Sequence, residues 1–173
     1  MNKKDLRKLC LNNRRSLPIE TRNKYSQIIC EKLLVYLKDK RVLSYYPTID
    51  EVNVSLLNLN VYYPIIEKQG IMHAYKPLNN NFIKNSFGIL EPDKSKSILI
   101  NKNDIDVIIV PLVGFDANKN RLGHGGGYYD RYLEDYKGLK IGVGFSIQKL
   151  VSIETTKNDI PMDIIISENE IIY

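Results

Sequence analysis

The order of apolar and polar positions predicts two consecutive helices at the start of the chain. In residues 3–13 the apolar positions recur at helical spacing and form one face, made of Leu6, Leu9 and Cys10. Ser16 then offers an N-cap, and Pro18 suits the first turn of a second helix. The second helix carries a longer apolar stripe at the same spacing, made of Tyr25, Ile28, Ile29, Leu33 and Leu37. Such a stripe is typical of a helix that packs on a core.

Short apolar runs in the rest of the chain predict β-strands. The clearest run, residues 105–110, is rich in β-branched side chains and is closed by Pro111. Similar runs occupy four further segments, at residues 41–46, 71–75, 140–145 and 163–167. Near-continuous apolar runs are typical of parallel strands that are buried on both faces.

The segments between these strands predict helices and loops. Residues 53–69 and 127–136 are interpreted as helices, although Pro64 weakens or kinks the first of them. Residues 77–104 are polar and irregular, and they predict a long excursion over the surface. The alternation of strands and helices predicts an α/β domain with right-handed crossovers. Because the chain has 173 residues, we expect a single domain that spans residues 1–173.

The composition argues against a membrane-spanning or secreted protein but does not indicate a specific function. The chain is 43% hydrophobic and 26% charged, as in soluble globular proteins. It has no apolar run of the about 20 residues that a membrane span needs, and its basic start lacks the apolar stretch of a secretory signal. Cys10 and Cys30 fall at apolar helical positions, so we expect buried free thiols and a reducing compartment.

The positive charge is concentrated at the start of the chain. Residues 1–41 hold twelve Lys and Arg against four Asp and Glu, whereas the remainder is slightly acidic. This asymmetry favours an anionic partner, such as nucleic acid, a nucleotide or a polyglutamyl small molecule. A solvated basic face explains it equally well.

A glycine cluster lies in residues 116–130, DANKNRLGHGGGYYD, where four of the ten glycines fall within five positions. It follows a predicted strand, and ligands of open α/β sheets bind at the carboxyl ends of strands. Glycine lets the backbone approach a ligand closely, and the exposed N–H groups of such a backbone favour phosphate binding. Arg121 can donate two further hydrogen bonds to phosphate oxygens. Tyr128 follows the last glycine, which excludes a P-loop and a dinucleotide fingerprint. The cluster alone leaves an anion site and a flexible turn open.

Three polar side chains around the cluster have alternative roles. Asp130 lies one turn into a predicted helix, where it either interacts with the helix dipole or binds magnesium beside phosphates. Asp116 either lies near such a metal or organises its own turn, and we favour the turn. His124 is interpreted as a solvent-facing loop residue in preference to a phosphate contact.

Several motifs together resemble the 5-formyltetrahydrofolate cyclo-ligase (methenyltetrahydrofolate synthetase) family. The most specific are VPLVGFD at residues 110–116 and RLGHGGGYYDR at residues 121–131. Others follow the family's order over nearly the whole chain: KKDLR at 3–7, Arg14, YPTIDE at 46–51, FGILEP at 87–92, GFSIQ at 144–148 and Asn158-Asp159. Relatives often carry a basic side chain or Met where His124 or Gly126 stands, so this loop depends more on backbone dipoles and on Arg121.

The resemblance implies a Rossmann-like three-layer α/β/α sandwich with a mostly parallel sheet. It also implies an ATP- and Mg²⁺-dependent ring closure that converts 5-formyltetrahydrofolate to 5,10-methenyltetrahydrofolate, ADP and phosphate. In this reaction the formyl oxygen attacks the γ-phosphate of ATP, and the second ring-closing nitrogen then displaces phosphate from the iminium phosphate. Phosphoryl transfer of this kind needs charge neutralisation and alignment more than covalent help from the protein.

The resemblance also assigns roles to individual residues. ATP binding falls on Lys3, Lys4, Arg7, Arg121, Leu122, Gly123, His124, Gly125, Gly126, Gly127, Tyr128 and Tyr129. Substrate binding falls on Tyr46, Glu51, His124, Gly125, Gly126, Gly127 and Tyr128. Asp130 and Asp159 would hold Mg²⁺, and Arg121 and Tyr128 are the expected catalytic residues. Without the resemblance, Lys3 and Arg7 would be interpreted as a solvated helix face and Glu51 as an exposed loop residue.

Two other functions are compatible with parts of the sequence. A nucleic-acid-binding module would use the basic residues 1–41 and the twelve tyrosines. A sugar-phosphate isomerase or a similar α/β enzyme would use the anion loop without ATP. From the resemblance we expect a monomeric, cytoplasmic enzyme that acts on a reduced folate, with or without a polyglutamate tail. We expect no nucleic-acid or membrane partner, and a motif that begins at Lys3 leaves no room for a transit peptide.

Overall fold

The computed structural model describes residues 1–67, 70–86 and 88–173, which form a mixed α/β fold with modest helix content. Its α-helices in this part of the chain are α1 (Lys3–Ser16), α2 (Ile19–Leu37) and α3 (Tyr128–Leu133). Its strands, in chain order, are β1 (Val42–Leu43), β2 (Tyr63–Ile66), β3 (Met72–Pro77), β4 (Phe82–Lys84), β5 (Leu90–Pro92), β6 (Ser97–Ile100), β7 (Val107–Pro111), β8 (Gly114–Phe115), β9 (Arg121–Leu122), β10 (Leu139–Val143), β11 (Ile164–Ile166) and β12 (Ile171–Ile172).

A mostly parallel sheet of five strands forms the centre of the fold, as the Val/Ile runs predicted. Its order is β1-β7-β10-β11-β12, and only the β11–β12 pair is antiparallel. Val107 of β7 lies opposite Val42 of β1 on one side and Leu139 of β10 on the other. Parallel strands end at the same edge, so the segments that follow β1, β7 and β10 converge there.

Both faces of this sheet are buried, which explains why its strands carry no polar side chain except Lys140 near the start of β10. On one face α2 packs against alternate strand residues, among them Val42, Val107, Ile109, Ile141, Val143 and Ile166. On the other face α3 and β3 cover the intervening residues, among them Leu43, Ile108, Val110 and Ile165. The period of two along each strand separates these two clusters.

The ends of the first two helices differ from the sequence prediction. Asn2 caps α1 by accepting a hydrogen bond from the Asp5 N–H at 3.0 Å, and the helix runs three residues beyond residue 13. Ser16, the predicted N-cap of α2, is the last residue of α1, and its hydroxyl donates to the Asn13 carbonyl oxygen at 2.7 Å. Pro18 takes the N-cap position of α2 and offers no side-chain hydrogen bond, so the predicted cap was wrong.

The helix predicted over residues 53–69 was also wrong. Residues Val54–Leu57 form one 3-10 turn that ends at Asn58, whose φ of 49° is left-handed. The chain then enters β2, an edge strand of the antiparallel sheet β2-β3-β6. Pro64 lacks an N–H, which an edge strand tolerates and a helix interior does not. The last two residues of the predicted segment, 68 and 69, lie outside the described residues.

The interpretation of residues 77–104 as irregular was wrong in part. This segment contains β4 and β5, which pair as a hairpin, and β6, which pairs with β3. An aromatic contact distant in sequence anchors the hairpin, because the Phe82 ring lies 5.3 Å from that of Tyr46 and 5.1 Å from that of Tyr63. Phe87, the first residue of the FGILEP motif, lies outside the described residues.

Other predicted elements have shifted ends. β1 covers two residues of the predicted 41–46, because the Ser44 N–H donates to the Tyr62 carbonyl oxygen and leaves the β1–β7 ladder. The helix predicted at 127–136 is α3, which covers six residues. Both cysteines are free and buried as expected, and burial raises the pKa of Cys30 to about 11. Within the described residues, no helix has the length and apolar character to cross a membrane.

Asp116 organises the loop between β8 and β9, as favoured from the sequence. Its fully buried carboxylate accepts hydrogen bonds from the N–H groups of Asn118, Asn120 and Ile153 at 2.8–3.0 Å and from the Asn120 side chain at 3.0 Å. These contacts fix the chain just before Arg121 and join it to the segment that leads to Asp159.

Replacing Asp116 by Asn tests this role. The new amide NH₂ would face N–H groups that now donate to the carboxylate, so we expect the free energy of unfolding to fall by about 2 kcal/mol or more. Urea unfolding measures this change. Asp104→Asn is the matched control, because Asp104 forms an exposed ion pair with Arg41 and such pairs contribute about 0–1 kcal/mol. Equal stability of the D116N variant and the wild type would contradict the assignment.

Candidate functional site

A cavity of about 910 Å³ opens at the carboxyl edge of the central sheet. Pro111 at the end of β7, residues 45 and 46 after β1, and the glycine loop at residues 123–127 all line it. α1 contributes Lys3 and Arg7, and the β4–β5 hairpin forms a further wall. Segments far apart in sequence therefore enclose one volume, which is large enough for a drug-sized ligand.

The glycine loop has a backbone that other residues adopt with difficulty. Gly125 has a φ of 101° and Gly127, the N-cap of α3, a φ of 67°. Two arginines hold its carbonyl oxygens: Arg7 Nε donates to Gly123 at 2.8 Å, and Arg131 Nη2 donates to Gly126 at 2.9 Å. Arg131 also donates to the Gly70 carbonyl oxygen at 2.9 Å. Arg7 on α1 and Arg131 on α3 therefore restrain the loop from two different helices.

Arg121 and Asp130 form an ion pair beside this loop. Arg121 Nη2 lies 2.7 Å from Asp130 Oδ1, and the arginine side chain is only 5% exposed. Its guanidinium stacks at 5.7 Å over the Tyr129 ring, and its Nε has no hydrogen-bond partner within the described ranges. Buried donors are normally paired, so this N–H is available for a further partner.

Lys3 and Asp159 form a second ion pair in the cavity, with Lys3 Nζ at 2.7 Å from Asp159 Oδ2. Burial alone would raise the pKa of Asp159, but the Lys3 ammonium and the Thr156 hydrogen bonds more than offset it, so the pKa is lowered. The Ile160 N–H, next to Asp159, donates to Asp130 Oδ1 at 3.2 Å. The two carboxylates predicted as metal ligands thus line one cavity.

The chemistry of this donor set fits a small divalent cation. In the part of the chain that the structure describes, no three His, Cys, Asp or Glu side chains form a metal-binding group. Mg²⁺ commonly takes one or two carboxylates and completes its shell with water and phosphate oxygens. Asp130 and Asp159 can supply those carboxylates only where phosphates bind beside them.

Glu51 has a side chain that is only 9% exposed, so its interpretation as an exposed loop residue was wrong. Its carboxylate accepts the Thr48 N–H at 2.9 Å and lies 3.7 Å from His124 Nε2 and 4.0 Å from Arg14 Nη1. Burial alone would raise its pKa, but the nearby His124 ring, the Thr48 N–H and the Arg14 charge more than offset this, and the pKa of Glu51 is lowered. His124 is 63% exposed, as expected of a solvent-facing residue.

The three tyrosines predicted near the site all line the cavity. Tyr46 packs on Phe82, and the Tyr128 ring lies 5.4 Å below the Arg131 guanidinium. Burial raises the pKa of Tyr129 well above its ordinary value, so its hydroxyl stays protonated. Leu122 lines the cavity too, whereas Lys4 is exposed and is not among the lining residues.

Some residues of the site had no role in the sequence interpretation. The β4–β5 hairpin contributes Asn85, Ile89, Leu90 and Glu91, and Asn85 Nδ2 donates to Glu91 Oε2 at 3.1 Å. Arg131 holds the glycine loop, and the buried Arg14 pairs with Asp50 at 3.1 Å. All of these residues except Asn85 belong to the sequence motifs that resemble the cyclo-ligase family. Nothing in the local sequence, however, indicated what they contact.

Comparison with known proteins identifies the family of the chain. The model of the 5-formyltetrahydrofolate cyclo-ligase family matches residues 1–168. The 5-formyltetrahydrofolate cyclo-ligase of Mycoplasma genitalium is 34% identical over 157 residues, which cover 86% of this chain and 87% of that protein. That of Haemophilus influenzae is 32% identical over 111 residues, which cover 61% of this chain and 59% of that protein. The solved structure of Aquifex aeolicus 5,10-methenyltetrahydrofolate synthetase has a TM-score of 0.85 and 32% identity, and the match covers 99% of this chain and 92% of that one.

Replacing Gly125 by Ala tests whether the loop backbone forms an anion site. A φ of 101° strains an alanine, and the added methyl group would lie 3.4 Å from the Arg7 guanidinium. Strain of this kind costs about 1–3 kcal/mol, so we expect the affinity for inorganic tripolyphosphate, measured by calorimetry, to fall about 10-fold.

Gly88→Ala is the matched control for this experiment. Gly88 also has a positive φ, 74°, but its added methyl group would meet open space in the described structure, and Gly88 is not among the cavity-lining residues. We expect G88A to keep the wild-type affinity for tripolyphosphate. Unchanged affinity in G125A would show that the loop does not bind the anion.

Proposed function

The chain belongs to the 5-formyltetrahydrofolate cyclo-ligase family, and on this premise we propose how its cavity carries out the reaction. The enzyme converts 5-formyltetrahydrofolate to 5,10-methenyltetrahydrofolate in an ATP-dependent ring closure. One observation supports the roles that we propose for individual residues. The glycine loop, the Arg121–Asp130 pair and the buried carboxylate of Glu51 all line the same cavity.

The triphosphate of ATP binds in the part of the cavity that the glycine loop lines. The N–H groups of residues 123–127 and the side chains of Lys3, Arg7 and Arg121 donate to its oxygens. The rest of the triphosphate-binding site consists of Leu122, His124, Tyr128 and Tyr129. Lys4 contributes positive charge from the exposed side of α1. This assignment is supported by the position of the donors. They lie on α1 and on the glycine loop, and the Arg7–Gly123 hydrogen bond joins these two elements.

Asp130 and Asp159 would hold Mg²⁺ beside the phosphates. The metal would supply charge neutralisation on the transferring phosphoryl group. In the structure each carboxylate has a cationic partner, Arg121 for Asp130 and Lys3 for Asp159. Both carboxylates therefore exchange or share these partners when phosphates enter.

The reduced folate binds at the other end of the cavity. Glu51 accepts hydrogen bonds from the N–H edge of the pterin, because an ionised carboxylate is an acceptor only. Tyr46 and Tyr128 pack on the substrate, and His124 with Gly125, Gly126 and Gly127 lies between the two ligands. This arrangement brings the formyl oxygen towards the γ-phosphate.

The chemistry then follows from alignment and charge neutralisation. The formyl oxygen forms a bond to the γ-phosphorus as the bond from phosphorus to the bridging oxygen of ADP breaks. N10 of the folate next attacks the formyl carbon, loses its proton, and inorganic phosphate leaves. Arg121 neutralises charge on the transferred group, and Tyr128 packs against the reacting substrate to hold it in line.

The remaining features of the proposal concern the whole protein. We assign residues 1–173 to a single cyclo-ligase domain with a Rossmann-like three-layer arrangement, supported by the burial of both faces of the central sheet. The enzyme acts as a cytoplasmic monomer on a folate with or without a polyglutamate tail. It needs no nucleic-acid or membrane partner for this reaction.

Replacing Arg121 by Ala or Asp130 by Asn tests the catalytic assignment. Each change removes charge complementarity at the phosphoryl group, so we expect kcat to fall by about 100-fold or more. The measurement is the growth of methenyl-product absorbance when enzyme, ATP, Mg²⁺ and 5-formyltetrahydrofolate are mixed. Arg41→Gln is the control, because Arg41 pairs with Asp104 and Asp106 on the surface. A full rate in either site variant would refute the assignment.

Replacing Glu51 by Gln tests the folate end of the cavity. A neutral amide presents an NH₂ group to the pterin donors, so we expect KM for 5-formyltetrahydrofolate to rise by about 10-fold or more. The affinity for ATP, measured by calorimetry, should stay within about twofold of the wild type. Glu154→Gln, at an exposed glutamate, is the matched control. Wild-type KM in E51Q would place the pterin elsewhere.

A further inference from the structure

Arg14 is a buried cation that the reaction as described does not use. It lies near the end of α1, its side chain is 3% exposed, and it faces two adjacent carboxylates. Arg14 Nη2 and Nε lie 3.1 and 3.3 Å from Asp50 Oδ2, and Nη1 lies 4.0 Å from Glu51 Oε1. One guanidinium thus spans both acidic residues of the YPTIDE segment.

Asp50 anchors this guanidinium rather than facing a ligand by itself. Its Oδ2 also accepts Arg15 Nε at 3.1 Å, and its Oδ1 accepts the Thr48 hydroxyl at 3.1 Å. Thr48 in turn donates its N–H to Glu51 Oε2 at 2.9 Å. Arg14, Asp50 and Thr48 therefore hold Glu51 from two directions, through the Thr48 backbone N–H and through the Arg14 charge.

A buried ion pair is a poor source of stability, because the loss of hydration offsets most of the attraction. A function in positioning explains why α1 carries a buried arginine at this point. We propose that Arg14, anchored by Asp50, is a positioning residue that holds the Glu51 carboxylate in the orientation that binds 5-formyltetrahydrofolate. This inference rests on the proposed role of Glu51 in pterin binding.

The charge of Glu51 depends on every element that faces it. His124 on the glycine loop, Thr48 on its own loop and Arg14 on α1 favour the carboxylate. Asp50, Tyr45 and Tyr129 also lie near, and burial keeps both tyrosines protonated. Arg14 is the permanent positive charge in this group, so its removal should raise the pKa of Glu51.

The test compares Arg14→Gln with Arg15→Gln. Arg15 is next in sequence and bonds the same Asp50 oxygen, but its side chain is 64% exposed. We expect R14Q to raise KM for 5-formyltetrahydrofolate by about 10-fold, with kcat and the calorimetric affinity for ATP within about threefold of the wild type. R15Q should change KM by less than about twofold. Arg14→Lys keeps the positive charge but loses the planar array of guanidinium donors, so its KM should lie between that of R14Q and that of the wild type.

A double-mutant cycle separates positioning from a merely structural role. In an E51Q background, R14Q should add less than about twofold to KM, because the residue on which Arg14 acts has already been neutralised. Fully multiplicative effects of the two changes would overturn the proposal. If E51Q alone has the wild-type KM, the proposed function of Glu51 fails; if E51Q raises KM and R14Q does not, only this inference fails.

The pH dependence gives an independent reading. Because the folded enzyme must keep Glu51 ionised to bind folate, kcat/KM falls as pH drops through the pKa of Glu51 in the free enzyme. In R14Q that acidic limb should move to higher pH, whereas in R15Q it should not move. An unshifted limb in R14Q would contradict the inference. Should R14Q fail to fold, Asp50→Asn tests the same anchor, and a wild-type folate KM in D50N would overturn it.

Discussion

The hydrogen bond from Arg7 Nε to the carbonyl oxygen of Gly123 joins residues 116 positions apart, and the architecture of the site depends on it. A loop of glycines has no side chains with which to fix its own shape, and two of its residues have positive φ values. Arg7 from α1 and Arg131 from α3 supply the missing restraint by binding its carbonyl groups. The same contacts bring α1, with Lys3, to the edge of the cavity.

Alternating charges around the cavity follow from this arrangement. Lys3 faces Asp159, Arg121 faces Asp130, and Arg14 faces Asp50 and Glu51. Pairing limits the cost of burying each charge, and it keeps the carboxylates ionised, as the lowered pKa values of Asp159, Asp50 and Glu51 indicate. An enzyme that moves a phosphoryl group needs such fixed charges more than it needs a nucleophile.

The sequence predicted best the elements whose burial is uniform. β7 and β11 are apolar throughout, and Lys140 is the one polar residue of β10, because both faces of the sheet are covered, and that signal is local. β2 was missed because Pro64 obscured its pattern, and the β4–β5 hairpin was missed because Phe82 is anchored by tyrosines distant in sequence. The glycine cluster was a local signal for the cavity that its residues line, although the cluster alone left a flexible turn open. Arg14 and Arg131 gave no comparable signal, since Arg14 binds Asp50, 36 residues away, and Arg131 joins Gly126 to Gly70, which lies 61 residues away.

A crystal structure of the enzyme with ADP, Mg²⁺ and 5-formyltetrahydrofolate tests the central claim most directly, and the position of the β-phosphate is the decisive measurement. The account predicts phosphate oxygens within hydrogen-bonding distance of the N–H groups of residues 123–127 and of the Arg121 guanidinium, with the pterin against Glu51. Phosphates bound outside this cavity, with the glycine loop making no contact to them, would contradict it.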